Sequence, residues 1–162
     1  MRIEDFGVDH SEPLTVSKFR SFAETVWSGE GRTEHLKVSE VEWLPARLHT
    51  MYTDAAAANR WSTVPAWFGD TGFGGPRLVA FIDVKVEGLR RLIALHEVAH
   101  LLVDSETMVY GHGPQWVAAY RDLIQTYLPP VVYAIWDLVF RGMSSKAEER
   151  VAADPLWLAH LV

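Results

Sequence analysis

Apolar residues recur at helical spacing in several stretches of the chain, and each stretch predicts a helix with one buried face. The first predicted helix spans residues 14–27, with Thr15 as its N-cap and Gly29 and Gly31 ending it. Four more are predicted over residues 45–60, 87–103, 114–127 and 131–140. Ser145 then opens a last short helix with Glu148 in a capping box.

Shorter apolar runs at residues 36–41, 64–68 and 77–82 predict strands. A glycine-rich stretch at residues 69–75 joins the last two runs and predicts a hairpin loop. The hairpin precedes the helix predicted at residues 87–103, so we expect it to form a wall above that helix. Helices combined with a small sheet predict one α+β domain over residues 1–162.

The helix predicted at residues 87–103 contains the sequence HEVAH at residues 96–100. Residues four apart lie on one helix face, so His96 and His100 point the same way, with Glu97 beside them. Zn²⁺ prefers imidazole ligands, and its catalytic sites keep a position open for water, whose proton a nearby carboxylate can accept. The spacing predicts two zinc ligands and a general base. The alternative is a buried helix whose histidines hydrogen-bond in the core.

A catalytic zinc site needs a third protein ligand. His112 is flanked by glycines, which allow a sharp turn close to the metal, and it is the first candidate for the third ligand. Asp104 and Glu106 are the alternatives, and Asp104 could instead orient a histidine ligand. A tetrahedral oxyanion also needs a donor besides zinc, for which Tyr110 and Tyr120 are candidates, although either could simply be a packing residue.

The two segments HEVAH and GHGPQW resemble the pattern of SprT-like zinc peptidases. More closely, HEVAHLLV followed by GHGPQWVAAYRDLI is similar to small HExxH metallopeptidases of actinobacteria and their phages. The resemblance covers residues 77–140 and is firmest over residues 89–127. It implies a zincin-like fold in which His96, His100 and His112 hold zinc and Glu97 is the catalytic base. It also implies that an edge strand receives the substrate as an added strand.

Composition narrows the range of partners. The chain has no cysteine, which excludes disulfides, thiolate ligands and a cysteine nucleophile, and we expect a cytoplasmic protein. With a net charge of −6 and no basic cluster beyond the pair Arg90 and Arg91, no nucleic-acid partner is expected. We expect no accessory DNA-binding domain of the kind found in longer SprT-like proteins. No apolar run reaches the roughly 18 residues of a membrane helix.

The seven tryptophans are expected mainly in the core, although Trp61, Trp67 and Trp116 could instead line a substrate groove. The predicted function is that of a zinc metallopeptidase acting on a protein or peptide. One alternative is a regulator-cleaving phage-type peptidase with an acidic third ligand. Another is a non-catalytic protein-binding module whose zinc is closed by a fourth protein ligand. The sequence gives no indication of the oligomeric state.

Overall fold

A computed structural model describes residues 13–33, 35–40, 57–65, 76–84, 89–107 and 112–153 of the chain. Within these ranges the helices are α1 (Val16–Gly29), α2 (Arg91–Thr107), α3 (Pro114–Tyr127), α4 (Pro130–Phe140) and α5 (Ser145–Ala152). The strands are β1 (His35–Glu40), β2 (Ala57–Pro65) and β3 (Pro76–Val84). The expected combination of helices with one small sheet is therefore present.

The three strands form one sheet in the order β1-β3-β2. β3 pairs antiparallel with β2, so that Pro76 lies opposite Pro65, which is the arrangement of the predicted hairpin. The glycine-rich loop itself lies outside the described residues. β3 also pairs in parallel with β1, where Leu36 lies opposite Ala80. The chain between these parallel strands includes β2, which satisfies the need of a parallel pair for a long connection.

Alternate residues of β1 and β3 are buried on one face. On β1 these are Leu36 and Val38, and the residues opposite them on β3, Ala80 and Ile82, are also buried. Because successive side chains of a strand point to opposite faces, this register gives β1 and β3 a shared apolar side. That side joins the apolar core formed with the helices.

The central helix is α2, which packs against α1, α3 and β2. It is buried on every side from Leu92 to Leu101, so the prediction of a single buried face is wrong for this helix. The physical reason is that helices and sheet surround α2, and Ala94 and Leu101 therefore meet neighbours too. α2 begins at Arg91 and extends to Thr107, later at both ends than predicted.

Local capping signals fix two of the remaining helices. The Thr15 hydroxyl caps α1 as predicted, accepting a hydrogen bond from the Lys18 amide at 3.2 Å. α3 has the predicted bounds, with Pro114 in its first turn, where a missing N–H costs nothing. None of the helices in the described ranges combines the length and the apolar character needed to cross a membrane.

The predicted N-cap of α5 is wrong by one residue, and the predicted capping box between Ser145 and Glu148 is not formed. Ser144 is the N-cap, and its hydroxyl accepts from the Ala147 amide at 3.2 Å. Glu148 is not engaged in a box with Ser145. Its carboxylate instead accepts a hydrogen bond from the Trp136 indole at 3.1 Å, which ties α5 to α4.

The helix predicted over residues 45–60 is wrong where it can be compared, because residues 57–60 belong to β2. Backbone pairing with β3 overrides the helical spacing of the apolar residues there. The rest of that prediction, residues 45–56, lies outside the described residues. Of the strand predicted over residues 64–68, the first two residues are the end of β2.

Candidate metal centre

Three imidazoles converge at the start of α3 and the middle of α2. His96 and His100 lie one turn apart on α2, and His112 comes just before α3. The His112 Nε2 atom is 3.0 Å from the His100 Nε2 atom and 3.2 Å from the His96 Nε2 atom. The ligand atoms of the three residues all lie within 4.8 Å of one another. The structure thus brings the three proposed ligands together, and this group could hold a metal ion.

The spacing of these nitrogens fits a small cation. Zinc–imidazole bonds of about 2.0–2.1 Å in tetrahedral geometry separate two ligand nitrogens by about 3.3 Å. The observed separations of 3.0 Å and 3.2 Å are close to that value. The donors are all imidazoles, which suit zinc, copper, iron and nickel, so the donor set alone does not select one of these metals.

Burial keeps the three imidazoles neutral. His96 is fully buried, His100 is 4 % exposed and His112 is half-buried. Loss of solvent lowers the pKa of His96 well below 6.5, and repulsion from His100 and His112 lowers it further. Loss of solvent, with a contribution from His112, lowers the pKa of His100 to about 3. Burial alone lowers the pKa of His112 to about 4. At neutral pH all three are therefore in the form that binds metals.

Glu97 lies beside this group. Its side chain is fully buried, and its Oε1 atom is 3.8 Å from the His96 Nε2 atom. The ligand atoms that lie close to one another all belong to the three histidines. The Glu97 carboxylate therefore lies beside the group and is not one of its ligands. A carboxylate in this place can accept a proton from water near the metal.

Trp116 contacts all three imidazole rings. The ring centroids are 4.7 Å apart for His96, 5.3 Å for His100 and 4.5 Å for His112. The indole stacks on His100 and meets the other two rings edge to face. Its N–H donates to the His96 carbonyl oxygen at 3.3 Å.

The burial of Trp116 decides between its two predicted roles. With 1 % of its surface exposed, it is a packing residue and does not line a groove. The side chain of Trp61 and all of Trp67 lie outside the described residues. The contact of Trp116 with the ligands was missed from the sequence, although its inward position on α3, four residues after His112, was the available signal.

Tyr120 lies behind the cluster. Its ring is 5.6 Å from that of His96, and its hydroxyl donates to the Leu92 carbonyl oxygen at 3.4 Å. A role as oxyanion donor would require this hydrogen bond to break, because a phenol has a single proton to donate. Tyr110, the other candidate, lies outside the described residues, as do the side chains of Asp104 and Glu106.

Comparison of the chain with protein-family models, curated proteins and solved structures gave no match. What the site can do therefore follows from its own geometry, which is that of three neutral, convergent imidazoles with a buried carboxylate at their side.

Proposed function

We propose that the protein is a zinc-dependent peptidase in which His96, His100 and His112 hold the ion and Glu97 is the general base. The observation that carries this proposal is the convergence of three imidazole nitrogens within 4.8 Å, with a carboxylate oxygen 3.8 Å from one of them. Three protein ligands leave a position open on a four-coordinate zinc, as catalytic sites require. The α+β architecture is compatible with the zincin-like fold that the sequence resemblance implies.

Each residue has a distinct part in the proposed reaction. A zinc ion at this site would polarise the scissile carbonyl and lower the pKa of water toward neutrality. Glu97 accepts the proton of the attacking water and passes it to the leaving nitrogen. His112, the least buried of the three ligands, marks the side on which a substrate approaches.

A protein or peptide is the proposed substrate because of the position of β2. Within the described sheet, β2 is an edge strand, and it packs against α2, which carries two of the ligands. A strand at a sheet edge can bind an extended peptide through main-chain hydrogen bonds, with pockets for alternate side chains. A peptide held along β2 would lie next to the metal-bearing helix.

The alternative peptidase with an acidic third ligand has weaker support, because His112 already completes the ligand group. A non-catalytic zinc module would require a fourth protein ligand. In the described part of the chain, the group of side chains whose ligand atoms lie close together consists of the three histidines, which is one ligand fewer than a closed zinc site has.

Metal analysis paired with a peptide-library cleavage assay tests the proposal. We expect one zinc per chain and cleavage that chelation abolishes and added Zn²⁺ restores. Wild-type protein that binds zinc in a closed four-ligand shell and cleaves nothing would contradict the peptidase and favour the binding module.

A further inference from the structure

We infer that Trp116 is a positioning residue that holds the three histidines in the geometry of the metal site and so sets its affinity for the ion. The inference rests on the proposed metal site. Trp116 binds no metal itself and acts through the histidines that it contacts.

Trp116 joins the two parts of the site and contacts all three histidines. His96 and His100 are fixed to α2 by its helical backbone, whereas His112 lies outside both helices, on the segment before α3. Trp116 is in the first turn of α3, and its indole N–H donates to the His96 carbonyl oxygen at 3.3 Å. This bond places the start of α3, and with it His112, against the ligand-bearing part of α2.

The ring of Trp116 also limits how the imidazoles can turn. It stacks on His100 with an angle of 28° between the ring planes, so rotation of that imidazole would bring it into the indole. Its contacts with His96 and His112 are edge to face, at 64° and 87°, a geometry that aromatic pairs favour. One indole therefore restrains all three ligand rings, which reduces the entropy that a metal ion would otherwise have to remove on binding.

Trp116 is itself held in place from behind. Tyr120 packs against it with ring centroids 5.0 Å apart, and Trp136 of α4 packs against Tyr120 at 5.4 Å. Trp116 and Trp136 are both 1 % exposed, and both donate their indole N–H to a protein oxygen. Trp136 is thus a matched control, because it has the same size and burial and also donates its N–H, in this case to the Glu148 carboxylate, but is separated from the histidines by Tyr120.

The test measures Zn²⁺ affinity by competition with a chromophoric chelator for wild type, Trp116→Phe, Trp116→Leu and Trp136→Phe. Changes to groups that orient metal ligands typically cost about 10–100-fold in affinity. We expect Trp116→Phe to lie near the lower end of that range, because a smaller ring still stacks on His100, and Trp116→Leu near the upper end. Trp136→Phe should keep the wild-type affinity within about twofold, although it too loses stability.

The visible absorption spectrum of the Co²⁺-substituted proteins provides a second readout, because it reports coordination geometry, which a loss of stability alone does not change. We expect the spectrum to change in the Trp116 variants and to stay the same in Trp136→Phe. If Trp116→Leu does not fold, Trp116→Phe alone decides the matter.

Wild-type protein that binds no Zn²⁺ would overturn the metal site and this inference together. Wild type and both Trp116 variants with equal affinity and equal Co²⁺ spectra would overturn the role of Trp116 while leaving the site intact. An equal loss of affinity in Trp136→Phe and Trp116→Phe would also overturn it, since the effect would then come from core packing in general.

Discussion

The Nε2 atoms of His100 and His112 lie 3.0 Å apart, although the two residues are twelve positions apart in the sequence. A neutral imidazole has one N–H and one acceptor nitrogen, so two such atoms can meet only if one donates to the other. The distance between the His96 and His112 Nε2 atoms is 3.2 Å. A metal ion held by this group would bind all three nitrogens at once.

Replacement of His112 by alanine should weaken Zn²⁺ binding by more than about 100-fold, because loss of a ligand exceeds the loss of a group that only orients one. The affinity is measured by chelator competition. His35→Ala is the control, since His35 is an exposed residue of β1, and it should bind as wild type does. Undiminished affinity in His112→Ala would show that the third ligand is misassigned, and Asp104 and Glu106 would be tested next.

Replacement of Glu97 by glutamine should separate metal binding from hydrolysis. Glutamine keeps the shape of the side chain but cannot accept the proton, so peptide cleavage should fall by about 10²–10⁴-fold. Zinc content should stay at the wild-type level, because Glu97 flanks the ligand group. Glu24→Gln, an exposed change on α1, is the control. Full activity of Glu97→Gln on a cleavable peptide would exclude Glu97 as the base.

The metal-free protein should lose stability in acid. His100 has a pKa of about 3 when folded and near 6.5 when unfolded, so below 6.5 the unfolded chain binds more protons. The free energy of unfolding then falls as the pH drops from 6.5 toward 3, by up to about 1.4 kcal/mol per pH unit for this residue. Urea denaturation across that range measures the slope. In His100→Asn it should be shallower, and an unchanged slope would contradict the buried neutral state.

Replacement of Gly29 by alanine should destabilise the fold. A Cβ atom at this position would collide with the Tyr127 hydroxyl and crowd the Tyr127 ring. Overpacking costs about 1–3 kcal/mol, because the Tyr127 ring and its hydrogen bond to the Val26 carbonyl oxygen must shift. Gly29 is the last residue of α1, so alanine gains less there than the roughly 1 kcal/mol of a helix interior. Urea denaturation gives the free energy of unfolding. The cost should be smaller in a Tyr127→Phe background, where the hydroxyl is gone, and an equal cost in both backgrounds would refute the collision.

Affinity for nucleic acid should be low at physiological salt. The net charge is −6, and the sequence has one adjacent pair of basic residues, Arg90 and Arg91. The guanidinium of Arg91 lies over the Phe22 ring, 5.6 Å from its centroid. Counterion release, which supplies most non-specific affinity, needs basic side chains that reach several phosphates. Fluorescence anisotropy with random single-stranded and duplex DNA measures it. Sub-micromolar binding would contradict this prediction and indicate a DNA-linked role.

Several features were determined by the sequence alone because they depend on neighbours within one helical turn. The Thr15 cap, the bounds of α3 with Pro114 in the first turn, and the shared face of His96 and His100 are all of this kind. The last of these predicted two of the three histidines of the candidate metal centre, since four-residue spacing places both imidazoles on one side of any α-helix.

Tertiary structure decided the rest. Residues 57–60 form a strand because their backbone pairs with β3. The spacing of apolar residues along the chain contains no information about that partner. α2 is buried on all sides because three elements pack around it, which no amphipathic pattern encodes. Glycines beside His112 allowed its approach but did not fix it. The indole of Trp116, bound to the His96 carbonyl oxygen and stacked on His100, ties α3 to α2 beside all three imidazoles, and contacts between separate elements form only when those elements pack.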